Sequence, residues 1–471
     1  MRNFMKPWLT SLLFLVVMLA IYPTVDRFEF DEDEGINLIK GALVAEGHSL
    51  YDDIWSDQPP LLTQAFAAVF RLGGPGVESG RFLVLAFAVL LVWSLQRIAS
   101  LLGGPACAVV GLLILVTVPG LAKLSVSAMV GLPSISLALA ALAAQLVWHR
   151  DMKNRWLVVA GALLGMSILT KLFTLFLLPI FLGGIFVGRV GDFRQKSISV
   201  AYWLAGFLGV GGTLAAMWLE PAALGQLIDP HVDAKSVVIY QGQHWFRGFQ
   251  ENSALLVLAG IGAVVQLRRR RWLWLYPALW MLFALVILLT HTPVWYHQRL
   301  LVTVPAVPLA AWVSVDTFRT LHRRSSVKEF LVPALVFVLL GLAAGQHWPG
   351  LSLLLKSGDR GEASRISSEE IVQDMGNNAK GSDWVVTDRP IYAFRAGLLV
   401  PPPVAVLTGK RLRTGRINED MLMRAVEDFQ AREILLARFE WDTLPERLAA
   451  GFNSTTYSDR RVLFVRTEPR Q

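Results

Sequence analysis

Long apolar stretches separated by short polar segments make up the first three quarters of the chain. Each stretch is close to the roughly 20 residues that a helix needs to cross the hydrocarbon core of a bilayer. The pattern therefore predicts about eleven membrane-spanning helices. They are placed at 8–25, 82–101, 106–122, 125–148, 156–170, 172–188, 199–218, 253–267, 272–290, 300–317 and 329–348.

Basic residues are concentrated in alternate loops between these stretches, which fixes an orientation. Cytoplasmic loops carry an excess of Lys and Arg, so the N-terminus is predicted to be cytoplasmic and the C-terminus extracytoplasmic. The first apolar stretch is predicted to be a helix that is retained, because no small-x-small cleavage motif follows it. The basic clusters are Arg97, Arg150 to Arg155, Arg189 to Lys196, Arg268 to Arg271 and Arg319 to Lys328. The opposite side receives 26–60, 218–252, 291–299 and everything after 350.

The last part of the chain, residues 350–471, has a different pattern. Three short apolar runs at 384–387, 433–436 and 462–465 are bounded by charged or turn residues, as buried strands are. Helical spacing between them predicts a small α/β domain with some parallel pairing. The predicted domains are a transmembrane unit over 1–349, with its first external loop at 26–80, and an extracytoplasmic α/β domain over 350–471.

Composition supports a membrane protein and argues against a soluble or nucleic-acid-binding one. Of the 471 residues, 54% are hydrophobic and 17% are charged, with a mean hydropathy of +0.49. Soluble domains carry closer to about one quarter charged residues. The net charge of +8 lies in short clusters between apolar stretches, so it indicates topology rather than a nucleic-acid partner. Cys107 is the only cysteine, so no internal disulfide forms.

The most unusual polar segment follows the first apolar stretch. Asp31-Glu32-Asp33-Glu34 leads into an amphipathic stretch over 36–46, and Asp57-Gln58-Pro59-Pro60-Leu61 comes later. Crowding and desolvation raise carboxylate pKa values toward the range of a general base, although a plain solvated acidic run explains the composition equally well. The cluster also suits an oxygen-liganded cation, so Mg²⁺ or Mn²⁺ is permitted but not required, and no other cofactor is assigned.

This arrangement resembles the GT-C glycosyltransferases, and within them the branch of protein O-mannosyltransferases and lipid A aminoarabinose transferases. The resemblance lies in an Asp-Glu pair after the first helix and in the later Asp-Gln-Pro-Pro-Leu, and in outline it covers the whole chain. It implies transfer of a sugar from a polyprenyl-phosphate carrier to an acceptor at the outer surface of the inner or plasma membrane. It assigns the carboxylate at the reaction centre to Asp33, paired with Glu34. Asp31-Glu32 is a second Asp-Glu pair, but Gly35 and the following helix favour the alignment on Asp33.

A departing phosphate needs cations on the same side of the membrane. Lys171, at a turn predicted to be external, is one candidate, with helix-end snorkelling as the alternative. His297 and Arg299 are preferred because basic residues at an outer boundary run against the usual sidedness of charge. Arg81 is a further candidate, although anchoring of its helix is the favoured reading. Neighbouring Tyr296 fits either an interfacial aromatic belt or a substrate contact.

Three polar positions are candidates for contacts with the sugar or the acceptor. Asp57 and Gln58 are placed to position the sugar, with capping of the helix that begins near Pro59 as the alternative for Asp57. His231, in the loop 218–252, is a candidate acceptor or carrier contact, with a solvated polar loop as the alternative.

The resulting prediction is a membrane glycosyltransferase with a polyprenyl-phosphate-linked sugar as donor and Asp33 as general base. The acceptor class (protein, lipid or glycan) is left open. The alternative is a transporter or flippase of lipid-linked sugars, which usually carries charges at mid-membrane. A scaffold that presents the C-terminal domain is a third reading, but it leaves the outer charged clusters unexplained.

Overall fold

A computed structural model describes most of the chain. The described residues are 7–187, 192–219, 223–229, 243–290, 294–321, 331–355, 362–379, 381–457 and 461–467. Helices dominate the first three quarters, and a small sheet with short helices forms the remainder.

Each of the eleven apolar stretches coincides with a helix, and additional helices lie between them. Among the described residues, six helices are long and apolar enough to cross a bilayer by length and composition. The number of spans therefore stays a prediction, while the mainly helical membrane architecture is established. The helices are α1 (Pro7–Val25), α2 (Glu32–Ala45), α3 (Leu61–Gly73), α4 (Val77–Gly103), α5 (Pro105–Thr117), α6 (Leu121–Ser125), α7 (Gly131–Asp151), α8 (Arg155–Thr170), α9 (Leu178–Val187), α10 (Phe193–Gly206), α11 (Thr213–Trp218), α12 (223–229), α13 (Gln243–Arg268), α14 (Leu275–Thr290), α15 (Leu300–Leu321) and α16 (Leu331–Leu355).

Small residues let two of the long helices approach closely. A Cβ at Gly161 would collide with the backbone at Trp203, and one at Gly206 would collide with the backbone at Val158. Gly165 lies against the backbone of Gly211 in the π-helical turn Phe207–Gly212. The small-x-x-x-small spacing in α8 therefore serves helix packing, as it does in membrane proteins generally.

Helix α2 is buried although it does not span the membrane. From Glu34 to Val44 every one of its residues is buried. Its Gly41 packs against Phe66 of α3, and its Leu38 fills the space beside Gly80 of α4. This packing holds the first turn of α2, with its carboxylates, at one end of the helical bundle.

The C-terminal part contains a four-stranded sheet in the order β1-β2-β4-β3. Strands β1 and β2 are parallel, β2 and β4 are antiparallel, and β3 and β4 are antiparallel. The three predicted strands are present, and the additional edge strand β3 is mostly exposed, so it lacked the apolar pattern of a buried strand. The elements are β1 (Val385–Thr387), β2 (Glu433–Leu436), β3 (Phe452–Thr456) and β4 (Val462–Arg466), with α17 (Glu362–Asn378), α18 (Ile391–Arg395), α19 (Gly409–Arg413), α20 (Glu419–Asp428) and α21 (Leu444–Ala449).

This C-terminal part lies directly on the start of α2. A Cβ at Gly35 would collide with the backbone of Ile391, so the residue must be glycine for α2 and α18 to approach this closely. The guanidinium of Arg395 donates to the carbonyl of Phe28 over 3.0 Å and lies over its ring. The contact places the acidic segment between the bundle and the sheet.

Candidate active site

The first turn of α2 gives each of its carboxylates a different environment. Asp31 is the N-cap residue, and its side chain accepts a hydrogen bond of 3.1 Å from the backbone N–H of Asp33. Acidic residues are favourable there because the helix dipole presents positive partial charge. Glu32 forms an ion pair of 2.7 Å with Arg438 from the C-terminal part.

Glu34 forms a fully buried ion pair with Arg81 of α4. Two parallel hydrogen bonds of 2.9 and 2.8 Å join the guanidinium to the carboxylate, and both side chains are 0% exposed. Glu34 also accepts from the backbone N–H groups of Phe30 and Ala128, each over 2.9 Å. Asp26 pairs with the same guanidinium at 2.7 Å. Through these contacts Arg81 anchors the acidic segment to α4, and two carboxylates occupy its guanidinium.

Asp33 differs from its neighbours because no hydrogen bond or ion pair engages its carboxylate among the residues that the structure describes. The side chain is half-buried. Burial raises the pKa of Asp33 to about 6, and the negative charges of Asp31 and Asp57 add to this effect. Arg438 and Lys171 act in the opposite direction. Such a carboxylate is ionised at neutral pH and basic enough to accept a proton.

Basic side chains from three other elements lie near this carboxylate. Lys171 follows α8 and interacts electrostatically with Asp33 and Asp57. Burial lowers the pKa of Lys171 to about 8, so a smaller fraction of it is protonated at a given pH than of a solvated lysine. Lys123 of α6 lies over the ring of Tyr296 at 4.4 Å. His297 is buried beside both lysines, and its Nδ1 has no hydrogen-bond partner in the described parts of the chain.

Asp57 and Gln58 lie on a buried turn next to Asp33. Asp57 pairs with Lys410 of α19 at 2.7 Å, and the amide of Gln58 lies 3.4 Å from Asp57. The helix after this turn has Pro60 as its N-cap and no side-chain cap, so helix capping by Asp57 is excluded. Asp57 lies within electrostatic range of Asp33.

Of three further predicted contacts, one lies elsewhere, one lies near Asp31 and one lies outside the described residues. Arg299 pairs with Glu251 and lines an apolar cavity between α13, α14 and α15 rather than the Asp33 cluster. Tyr296 lies close to Asp31, and the ammonium of Lys123 lies over its ring. His231 is outside the described part of the chain.

Sequence reasoning missed four cations around the site: Lys40, Lys123, Lys410 and Arg438. Lys123 carried the same signal as Lys171, a lone lysine at a turn predicted to be external. Lys410 and Arg438 carried no such signal, because they lie more than 350 residues after the acidic segment. Lys40 lay inside an amphipathic stretch, where a lysine is usually solvated.

The described residues contain no preformed metal site with three protein ligands. No three His, Cys, Asp or Glu side chains among them are close enough to hold one ion. The ion pairs of Glu32 and Asp57 with basic residues further reduce the ligands on offer.

This chain is similar to one known protein family and to several solved structures. Residues 57–215 match the dolichyl-phosphate-mannose-protein mannosyltransferase family. ArnT from Cupriavidus metallidurans bound to undecaprenyl phosphate superposes with a TM-score of 0.62 at 15% identity, over 98% of this chain and 99% of that one. No curated protein matches the sequence significantly.

A second structural relative is the oligosaccharyltransferase of Archaeoglobus fulgidus. Its apo form gives a TM-score of 0.61 at 12% identity, over 92% of this chain and 70% of that one. The form tethered to an acceptor peptide gives 0.57 at 13% identity, over 99% of this chain and 74% of that one.

The matching family and both relatives are glycosyltransferases of the GT-C type. The predicted resemblance is therefore confirmed, and the chain shares its fold with these relatives.

Proposed function

We propose that this chain transfers a sugar from a polyprenyl-phosphate carrier to an acceptor hydroxyl on the extracytoplasmic side, with Asp33 as the general base. The observation that carries the proposal is the contrast within one helical turn. Asp33 is the carboxylate without a partner among the described residues, whereas Glu32 and Glu34 are neutralised by arginines. A half-buried carboxylate beside lysines that form no direct ion pair in the described part of the chain suits proton abstraction next to a leaving phosphate.

The proposed reaction is a single displacement at the anomeric carbon. The acceptor hydroxyl gives its proton to Asp33 as its oxygen bonds to that carbon. The bond from the carbon to the phosphate oxygen breaks, and its electron pair stays on the polyprenyl phosphate. Atoms and charge balance, because the proton ends on the carboxylate and the negative charge ends on the phosphate.

Lys171 and Lys123 are proposed to stabilise that phosphate. Both ammonium groups lie beside His297, at the same end of the bundle as Asp33. A partly buried cation stabilises developing negative charge more strongly than a solvated one, because water screens it less. Asp57 and Gln58, on the adjoining turn, are proposed to orient the sugar.

The proposed topology places α2, the site and residues 350–471 outside the cytoplasm of the inner or plasma membrane. Support comes from the alternation of basic loops and from the ion pairs that join the C-terminal part to the acidic segment. A single cysteine at Ser454 in a Cys107→Ser background tests it, because Ser454 is exposed on β3. A membrane-impermeant maleimide should label it in intact cells; labelling only after lysis would invert the topology.

The donor and the acceptor follow from the relatives by analogy. One relative is bound to undecaprenyl phosphate and another carries a tethered acceptor peptide, so a lipid-phosphate donor is the first choice, and protein, lipid and glycan acceptors are all worth testing.

The decisive experiment uses purified, reconstituted protein with radiolabelled sugars on polyprenyl monophosphate and an envelope extract as acceptor. The wild type should transfer label and Asp33→Asn should not. Glu32→Gln is the matched control, since it removes an adjacent carboxylate that is already paired. Equal activity of wild type and Asp33→Asn would overturn the assignment of the base. Folded wild-type protein that is inactive with every donor would overturn the proposed reaction.

A further inference from the structure

Lys40 is a buried lysine of α2, the helix that carries Asp33, and the proposed mechanism does not use it. Lys40 is 2% exposed, although lysine is among the residues least often buried. It follows Asp33 by seven residues, so both side chains lie on one face of α2, about 10 Å apart along the axis. Helical side chains lean toward the N-terminus, which directs Lys40 toward Asp33.

The contacts of Lys40 connect it to both proposed substrate-facing segments. Its ammonium lies 3.4 Å from the hydroxyl of Ser56, a fully buried residue. The same hydroxyl donates to the carbonyl of Gln58 over 3.1 Å and accepts from its N–H over 3.3 Å. Burial lowers the pKa of Lys40, and the negative charges of Asp57 and Asp33 act in the opposite direction.

This environment is costly for a lysine that serves packing alone. Among the described residues no carboxylate pairs directly with this ammonium, and one long hydroxyl contact does not replace the hydration that it loses on burial. Methionine would fill the same linear space without that penalty. The placement of the charge between two carboxylates of the site therefore indicates a role toward those carboxylates.

We propose that Lys40 is a positioning residue that holds Asp33 in its ionised form and, through Ser56, fixes the turn that carries Asp57 and Gln58. The proposal deepens the proposed function and rests on Asp33 being the base. Lys40 does not touch the reacting atoms in this role. The positive charge of its ammonium acts electrostatically on the Asp33 carboxylate.

Several other charges face these carboxylates and set the background for this role. Asp31 and Asp57 disfavour the charge on Asp33, whereas Arg438 and Lys171 favour it. Lys410 pairs with Asp57 from the side of the C-terminal part, at 23% exposure. Lys40 is far less exposed, so its field is screened least by water and salt.

The test compares the pH dependence of sugar transfer in Lys40→Met, Lys40→Arg and Ser56→Ala with that of the wild type. In the wild type, kcat/KM should fall as the pH drops through about 6, where Asp33 takes up a proton. Loss of a charge about 10 Å away should move this acidic limb upward by about one pH unit in Lys40→Met. Lys40→Arg should restore the wild-type limb, and Ser56→Ala should keep it, because both retain a cation.

A second readout does not depend on activity. The infrared carbonyl band of protonated Asp33, identified by its absence in Asp33→Asn, should titrate at higher pH in Lys40→Met than in the wild type. Thermal unfolding of the detergent-solubilised protein establishes that each variant is folded. An unchanged titration in folded Lys40→Met overturns the role of Lys40 even if transfer is confirmed. A shifted band in protein without transfer activity supports it and overturns only the proposed reaction. A shift reproduced by Ser56→Ala assigns the effect to the hydrogen bond and overturns the electrostatic role.

Discussion

The two sides of the first turn of α2 handle charge in opposite ways. On the side of the C-terminal part, Glu29 pairs with Arg389 and Glu32 pairs with Arg438, each at 2.7 Å. On the side of the bundle, Asp33 faces Lys171 at a distance without a direct pair among the described residues. Neighbouring carboxylates therefore serve assembly on one side and the proposed chemistry on the other. The presence of a direct partner distinguishes the two roles better than the number of charges.

The sharpest way to break this comparison is Asp33→Asn. It removes the unpaired carboxylate with little change of shape, and loss of a general base costs about 10² to 10⁴ in rate. We expect kcat/KM to fall by that factor and the thermal stability to hold or rise, because burial penalises the charge on Asp33. Measured transfer and unfolding of Asp33→Asn beside Glu32→Gln check this, and equal losses in both variants would contradict the distinction.

The next largest effect concerns the buried pair of Glu34 and Arg81. Arg81→Met leaves the Glu34 carboxylate buried without its cation, which typically costs about 3 to 5 kcal/mol of stability. We expect lower expression and a lower unfolding temperature in detergent. The double variant Glu34→Leu/Arg81→Met should recover part of the loss, since it removes both charges. A folded, stable Arg81→Met with impaired donor binding would instead return Arg81 to the phosphate site.

Lys171→Met tests the bundle side at intermediate magnitude. Removal of one group that stabilises charge in the transition state costs about 10² in rate. We expect Lys123→Met to cost less, because the ammonium of Lys123 lies closer to its ring (4.4 Å from Tyr296) than that of Lys171 does (5.2 Å from Phe173). Arg299→Met serves as the control, since Arg299 pairs with Glu251 away from Asp33. A larger loss in Arg299→Met than in Lys171→Met would move the phosphate site to the cavity beside α13.

The pH profile of the wild type sharpens the same assignment. Asp33 must be ionised to accept a proton, so kcat/KM should fall below about pH 6. Lys171 must be protonated to stabilise the phosphate, so kcat/KM should fall above about pH 8. Asp33→Asn should lose the acidic limb from its residual activity, and Lys171→Met should lose the basic limb. A profile with both limbs intact in both variants would assign these ionisations to other groups.

The smallest effect is expected on the side of the C-terminal part. Glu32 is 49% exposed at its side chain, so its pair with Arg438 is screened by water. Pairs of this kind contribute about 0 to 1 kcal/mol. Glu32→Gln should therefore change transfer by no more than about fivefold, and a loss as large as that of Asp33→Asn would show that closure by the C-terminal part limits the reaction.

Much of the fold was accessible from apolar periodicity, and less of the site was. The helix boundaries and the three buried strands follow local patterns, whereas β3 is exposed and carries no apolar signal. Lys171 and Asp33 were predicted to lie on one side, and the structure brings them within electrostatic range. Arg299 was predicted on the same grounds, but it lines a different cavity. Sidedness specifies the end of the bundle at which a residue lies, and it does not specify its neighbours.

The sequence by itself determined that this is a membrane protein, where its helices lie and that its acidic segment resembles that of a GT-C enzyme. These properties depend on hydropathy and on short motifs, which are local along the chain. Only the tertiary structure decided which of four adjacent carboxylates has no direct partner among the residues that it describes. The arginines that neutralise Glu34 and Glu32 come from positions 47 and about 400 residues later in the chain. The strength of an ionic interaction and the pKa of a carboxylate depend on distances and burial in the folded structure, so no pattern in adjacent residues contains that information.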